Sequence, residues 1–331
     1  MVRVVIAAII AMIIAIVVGP RFIAFLRRNE FGQHIREELL EHHVEKQGTP
    51  VLGGLLIIIA MSIAFLAMSE FTIPAITVFL VTLACAAIGF TDDFIKLTHR
   101  RSLGLSGRWK LLLLAGITVG IGYAAYHEHV PKWVYIPLLD VRPNLSWGWY
   151  ILIFLIAAGA ANGVNLTDGI DGLAAGTGII ALITFTAISA LTYIRTRNTN
   201  DLDMAILGGA LVGACVGFLW FNAFPAEVFM GDTGSMAIGG AIGAFAVFSK
   251  TEILMVVIGG IFLMEALSVI IQVITFKFWE RRIFLMAPIH HHFVMKAWSE
   301  TKIMVRFWIV GAILGGAAFA LYYRYFLSFN P

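Results

Sequence analysis

Charge is scarce in this 331-residue chain: Asp, Glu, Lys and Arg together supply 13% of it, about half the share of an ordinary soluble domain. Apolar residues supply 60%, which excludes a soluble globular fold and equally a disordered chain, whose apolar content is low. Cysteine is nearly absent. Cys85 and Cys215 each sit inside an apolar run, so neither a disulfide framework nor a thiolate metal site is supported, and both read as buried packing residues. Net charge is only +3, with no basic stripe carrying interleaved aromatics, so nucleic-acid binding has no basis. The alternating-polarity segments of a closed membrane barrel are missing. So are internal repeats, low-complexity tracts and any soluble segment longer than about 30 residues.

What is present is a series of continuous apolar runs. At roughly 20 residues per span, they predict an all-α integral membrane protein with about ten transmembrane helices. The spans fall near 2–19, 51–68, 73–91, 110–126, 147–161, 173–193, 204–221, 235–249, 253–276 and 304–326. Residues 1–331 thus read as a single polytopic membrane domain. The first run has no small-residue cleavage pattern before Gly19-Pro20 and reads as an uncleaved helix. The run at 235–249 is short and Gly-rich, which predicts a helix that is tilted, packed inside the bundle or extended into its flanks.

Ten spans divide the connecting segments into two alternating sets. The set after the odd-numbered spans holds 15 Lys and Arg, the other set seven, and Arg306 lies toward the first. The positive-inside rule makes the first set cytoplasmic and places both termini outside. Of the 20 acidic residues, 13 share the cytoplasmic set, six lie outside and Glu265 falls within a span. Motif residues gather there too, which predicts an active site on the cytoplasmic face.

Four cytoplasmic segments could carry chemistry. Asp92-Asp93 closes the third span in GFTDDF; adjacent carboxylates near a bilayer edge call for a cation or a proton, although about 100° apart on a helix they need not share one ligand. The plain alternative is a solvated helix end with Lys96 one turn on. Asn165-Leu-Thr-Asp168-Gly-Ile-Asp171-Gly precedes the sixth span, where Asp168 as N-cap with Asp171 at N3 is the plain reading. Asn222 and Phe229-Met-Gly-Asp232-Thr-Gly-Ser235 fill the seventh loop; Asp232 or Ser235 could cap the next helix, and the same Gly-rich helix start suits phosphate beside a carboxylate-held Mg²⁺. Ala287-Pro-Ile-His290-His291-His292 lies in the ninth loop, where His290 and His292 share a side if the backbone is extended. A carboxylate-rich, cysteine-free set suits Mg²⁺ better than Zn²⁺. Lys46 and Lys110 are basic residues near span ends, for which membrane anchoring is the plain role. Glu265 and Gln272 share one face of the ninth span, and Glu265 reads equally as a buried, hydrogen-bonded or protonated group. Together these groups point to an anionic, Mg²⁺-dependent ligand.

At GFTDDF, NGVNLTDGIDGL, FNAFPAEVFMGDTGS and MAPIHHHF the chain closely resembles the phospho-N-acetylmuramoyl-pentapeptide transferases, within the polyprenyl-phosphate sugar-1-phosphate transferases. The likeness runs over essentially the whole chain, and the APIHHH run favours this branch. The resemblance implies ten spans in a bacterial inner membrane. It also implies transfer of phospho-N-acetylmuramoyl-pentapeptide from UDP to undecaprenyl phosphate, giving lipid I and UMP, and it allows a homodimer. By the same resemblance Asp92, Asp93 and Asp232 are catalytic acids, with Asp232 the Mg²⁺ ligand. Asn165, Asp168, Asp171, Asn222, Phe229, Gln272 and His291 would line the nucleotide-sugar pocket, with Phe229 stacked on uracil; Lys46 and Lys110 would meet phosphates, and His290 and His292 would join the cluster. Three departures touch fine contacts only: Val51 lacks a hydroxyl the family commonly has, Leu103-Gly104-Leu105 replaces its KGL, and Val294 replaces an acidic residue.

Attack of a lipid phosphate on a UDP-sugar joins two anions, so metal, Lys or His must neutralise charge. A direct displacement with Asp92 or Asp93 as proton acceptor is the expected route, and a two-step path through an aspartyl-phosphate is its rival. Within enzymes, transfer of N-acetylglucosamine-1-phosphate is the alternative. An ion or solute transporter would require ionisable residues at the bilayer midplane, where only Glu265 qualifies.

Overall fold

A computed structural model describes residues 1–29, 48–99 and 103–329, and among these residues it contains helices and no strand. The helices are α1 (Val2–Arg28), α2 (Gly54–Met68), α3 (Ile73–Thr98), α4 (Gly107–His127), α5 (Gly148–Thr167), α6 (Leu173–Thr196), α7 (Thr199–Asn222), α8 (Gly231–Phe248), α9 (Leu254–Ile258), α10 (Gly260–Trp279), α11 (Ile289–Val294) and α12 (Glu300–Phe329). Nine of the ten expected runs each coincide with one helix and the tenth, 253–276, with α9 and α10; among the described residues eight helices are long and apolar enough to cross a membrane. The protein is an all-α integral membrane protein. The two expected runs that fall short are α2, which has 15 residues, and α8, whose first turn is polar.

Two helices form the centre. α7 packs along α1 and α6, and α8 along α3 and α5. Every residue of α8 from Thr233 to Val247 is buried, so the short Gly-rich run is packed inside the bundle. Its Gly and Ala positions let neighbouring backbones approach closely, which is how helices associate when lipid removes the hydrophobic drive. Cys85 and Cys215 are buried, as their positions in apolar runs implied.

One expected boundary is corrected. The apolar run 253–276 is not one helix: it breaks at Gly259 into α9 and α10, and Gly259 N–H closes the first piece on Met255 O at 2.7 Å. Hydrophobicity continues across the break, so it gives no signal; the Gly259-Gly260 pair is the physical cause.

At the end of α3 remote from the acidic motifs, a buried carboxylate fixes the α2–α3 connection. Asp203 of α7 is fully buried. Its Oδ2 accepts from Ser69 Oγ at 3.0 Å, Thr72 N–H at 2.9 Å and Thr72 Oγ1 at 3.0 Å, and its Oδ1 accepts from Glu70 N–H at 2.9 Å. Removing it orphans all of these donors at once. Asp203→Ala is therefore expected to cost about 3 kcal/mol, read as a lower thermal unfolding midpoint of the detergent-solubilised protein, with Asp203→Asn milder.

Candidate active site

α3 does not stop at residue 91 but runs to Thr98, which carries Asp92 and Asp93 inside its last two turns. Both are buried, 1% and 3% exposed. They divide their partners by direction. Asp93 faces the start of α8: its Oδ1 accepts Asp232 N–H at 3.1 Å, and its Oδ2 accepts Thr233 N–H at 2.9 Å and Thr233 Oγ1–H at 2.7 Å. A carboxylate from another helix thus satisfies the free N–H groups of α8 and meets the positive end of its dipole. Neither Asp232 nor Ser235 caps α8, which corrects the plain reading of that loop; Ser235 Oγ donates instead to Gly231 O.

Two glycines make this approach fit. A Cβ at Gly89 of α3 would collide with the Asp232 carbonyl, and Gly231 has φ +73° with room for only a hydrogen beside Asp93 Oδ2, 2.6 Å from where a Cβ would stand.

Asp92 and Asp232 face the other way, toward two lysines. Lys96 Nζ lies 2.5 Å from Asp92 Oδ2 and 3.1 Å from Asp232 Oδ1. Lys110 Nζ of α4 lies 2.9 Å from Asp92 Oδ1 and 2.6 Å from Asp232 Oδ2. Leu105 N–H also donates to Asp92 Oδ1, at 2.7 Å. Each ammonium bridges the same two carboxylates. Lys96 had only the plain role of a helix-end partner in the sequence, and the structure makes it central; the signal was its i,i+4 spacing from Asp92.

One oxygen from each of Asp92, Asp93 and Asp232 falls within 4.8 Å of the others, so the two neighbouring carboxylates do share a cluster despite their angular separation. Three carboxylates against two ammoniums leave an excess negative charge, and the donors are all hard oxygens. This set fits a divalent cation of the Mg²⁺ type.

Asp168 stands at the edge of the cluster. It is the C-cap of α5, half-buried, and the N-cap of α6 is Gly172, φ +73°, so the expected N-cap at Asp168 with Asp171 at N3 is not formed. The physical reason is that Asp168 turns to α8, where Gly231 N–H donates to it. Burial, then the charges of Asp232 and Asp93, push its carboxyl up to about 8.

The remaining residues singled out in the sequence brace the surrounding loops. Asp171 Oδ2 accepts Ala226 N–H at 3.0 Å. Asn222, 3% exposed, accepts Gly172 N–H at 3.1 Å and donates to Val228 O at 2.9 Å. Asn165 Nδ2 donates to Ser235 Oγ at 3.0 Å. Phe229 is half-buried with its backbone bonded to Pro50 and Gly53. Gln272 holds the loop after α10, accepting from Ile283 and Phe284 N–H and donating to Phe284 O. The histidines are helical, not extended, so His290 and His292 diverge. His290 is buried against Glu265, while His292 Nδ1 accepts Leu285 N–H at 3.1 Å; the His291 ring lies 4.1 Å from that of His290, centre to centre, tilted by 52°. Thr233 and the Glu265–His290 contact were missed in the sequence because both need tertiary neighbours. Lys46 lies outside the described residues.

Comparison with known proteins gives the family. Residues 75–250 match Glycosyl transferase family 4. The chain is 45% identical to the phospho-N-acetylmuramoyl-pentapeptide-transferase of Rubrobacter xylanophilus over 99% of both chains. It is 45% identical to that of Bacillus subtilis over 91% of this chain and 92% of the relative, and 43% identical to that of Desulfotalea psychrophila over 95% and 91%. The chain belongs to the phospho-N-acetylmuramoyl-pentapeptide-transferase family. It is therefore an enzyme of the transferase class, and the carboxylates of α3 and α8 lie within the stretch that Glycosyl transferase family 4 covers.

The Asp168 carboxyl has a testable consequence. Between its unfolded value near 4 and its folded value of about 8, the folded transferase holds a proton that the unfolded chain has released, so this group lowers stability as pH rises. In metal-free protein, Asp168→Asn is expected to gain in unfolding midpoint over wild type as pH goes from 5 to 8. An unchanged difference across that range would contradict the assignment.

Proposed function

We propose that the protein transfers phospho-N-acetylmuramoyl-pentapeptide from UDP to undecaprenyl phosphate, releasing UMP and forming lipid I at the cytoplasmic face of a bacterial inner membrane. The observation that carries this reading is the double bridge of Lys96 and Lys110 between Asp92 and Asp232, at one end of a membrane bundle. Two ammoniums held by carboxylates on separate helices are charges already in place for the diphosphate of one substrate and the phosphate of the other. The names of the relatives support the substrates, and the Lys and Arg distribution supports the cytoplasmic side.

Asp92, Asp93 and Asp232 would hold Mg²⁺, Asp232 foremost, and the bound ion would neutralise developing charge on the phosphoryl oxygens. The chain's own residues do the rest. Lys96 and Lys110 draw the two phosphate groups together against their mutual repulsion. Asp93, committed to three donors at the start of α8, fixes where Asp232 stands. Asp92 is engaged mainly with lysine ammoniums, which can swing to the incoming phosphates, so it is the better placed of the pair to accept a proton from the lipid phosphate. Attack then displaces UMP in one step. By the family resemblance, Asn165, Asp168, Asp171, Asn222, Phe229, Gln272 and the histidines would line the nucleotide-sugar pocket.

Purified protein given UDP-N-acetylmuramoyl-pentapeptide, undecaprenyl phosphate and Mg²⁺ should release UMP, and a chelator should stop it. Release from UDP-N-acetylglucosamine but not from the muramoyl substrate would replace this reading with the related transferase. Asp232→Asn and Lys110→Gln should each lower kcat by about 100-fold or more, with Asp232→Asn also raising the Mg²⁺ concentration needed for half-maximal rate. Trapping a phosphorylated aspartate in a single turnover would overturn the one-step route.

A further inference from the structure

Glu265 is an acidic residue inside a long apolar helix, and the transfer chemistry above gives it no task. It is fully buried on α10 beside His290, itself fully buried on α11. His290 Nδ1 lies 3.1 Å from Glu265 Oε2, and that oxygen also meets the His290 backbone N–H at 3.5 Å. Among the described residues neither ring nitrogen completes a hydrogen bond: Nδ1 faces Glu265 within reach, and Nε2 points to the other side of the ring. It rests against Gly169, where any Cβ would collide with it. Gly169 is the residue next to Asp168, whose carboxyl faces Asp232 and Asp93.

A carboxylate and an imidazole this deeply buried are costly unless each serves the other. A carboxylate at Nδ1 selects the tautomer that carries its proton there and fixes the plane of the ring, as carboxylates do behind histidines in many sites. We infer that Glu265 is a positioning residue for the transfer reaction: it grips His290 at Nδ1 and so holds the unsatisfied Nε2 at Gly169, beside Asp168. At 3.1 Å the Nδ1 contact is within reach but does not complete a hydrogen bond in this structure, and on this inference it does so when substrate fills the site. Gly169 keeps the path to Nε2 short, since no side chain stands between that nitrogen and the loop. Because the inference rests on the transferase reading, one of its readouts is independent of turnover.

That readout is the ¹⁵N spectrum of histidine-labelled, full-length protein, in which the His290 signals are those lost in His290→Gln. A proton on Nδ1 is expected; a neutral ring protonated only at Nε2 overturns the inference. Glu265→Leu should abolish the Nδ1 preference and lower kcat about 10- to 100-fold, with KM for the UDP-sugar within about threefold of wild type. Glu265→Gln keeps an acceptor for Nδ1–H and should restore most of the lost rate. An unchanged kcat in Glu265→Leu, a rise confined to KM, or a Glu265→Gln as impaired as Glu265→Leu would each overturn the positioning role. Should Glu265→Leu fail to fold, the wild-type tautomer and the Glu265→Gln rate still decide. If wild type releases no UMP from any UDP-sugar, the transferase reading fails and takes the role in transfer with it, while the tautomer judges the Glu265–His290 contact separately.

Discussion

Three carboxylates cannot be drawn together at the end of an apolar bundle unless cations stand between them, and this constraint organises the molecule. Lys96 and Lys110 meet it by each bridging Asp92 and Asp232. Removing either would leave a buried carboxylate short of a partner, a far larger penalty than losing a surface ion pair. The bridge fixes the relation of α3, α4 and α8, since each supplies at least one member. It also explains why α3 continues past its apolar stretch: Lys96 reaches Asp232 only if the last turn after Asp92 is helical.

The same economy of charge appears wherever polar groups are buried. Asp93 satisfies the start of α8, Asp203 gathers the α2–α3 connection at the opposite end, and Glu265 stands against His290. In each case a carboxylate from one helix meets donors or a ring belonging to a segment remote in sequence. With lipid outside and small residues at helix contacts, such cross-helix bonds give the bundle its register. Around the site, Asp171, Asn222 and Gln272 each accept from loop backbone, so motif residues hold the loops near the carboxylate cluster in place.

Much of the fold was legible because membrane insertion imposes a local rule: every span must be apolar and helical by itself. That rule exposed ten helical runs, the helix nature of the Gly-rich segment and the packing role of both cysteines. It could not show the break at Gly259, where apolar character continues, nor the length of α3, where helix outlasts apolar character. The site was legible as a set of residue types in order along the chain. Its internal assignments were not. Local spacing suggested Asp168 and Asp232 as helix caps, yet the actual cap of α8 comes from Asp93, 139 residues away from Asp232 in the chain.

The sequence by itself determined the membrane class, the gathering of acidic, basic and histidine motifs on one set of loops, and the family, because composition and motif order are properties of the chain. Only the tertiary structure decided which carboxylate faces a helix start and which faces the lysines, that Lys96 belongs to the cluster, and that Glu265 has a partner. Those outcomes depend on the angle at which helices distant in sequence cross, and on the small residues that let them come close enough for charges to pair.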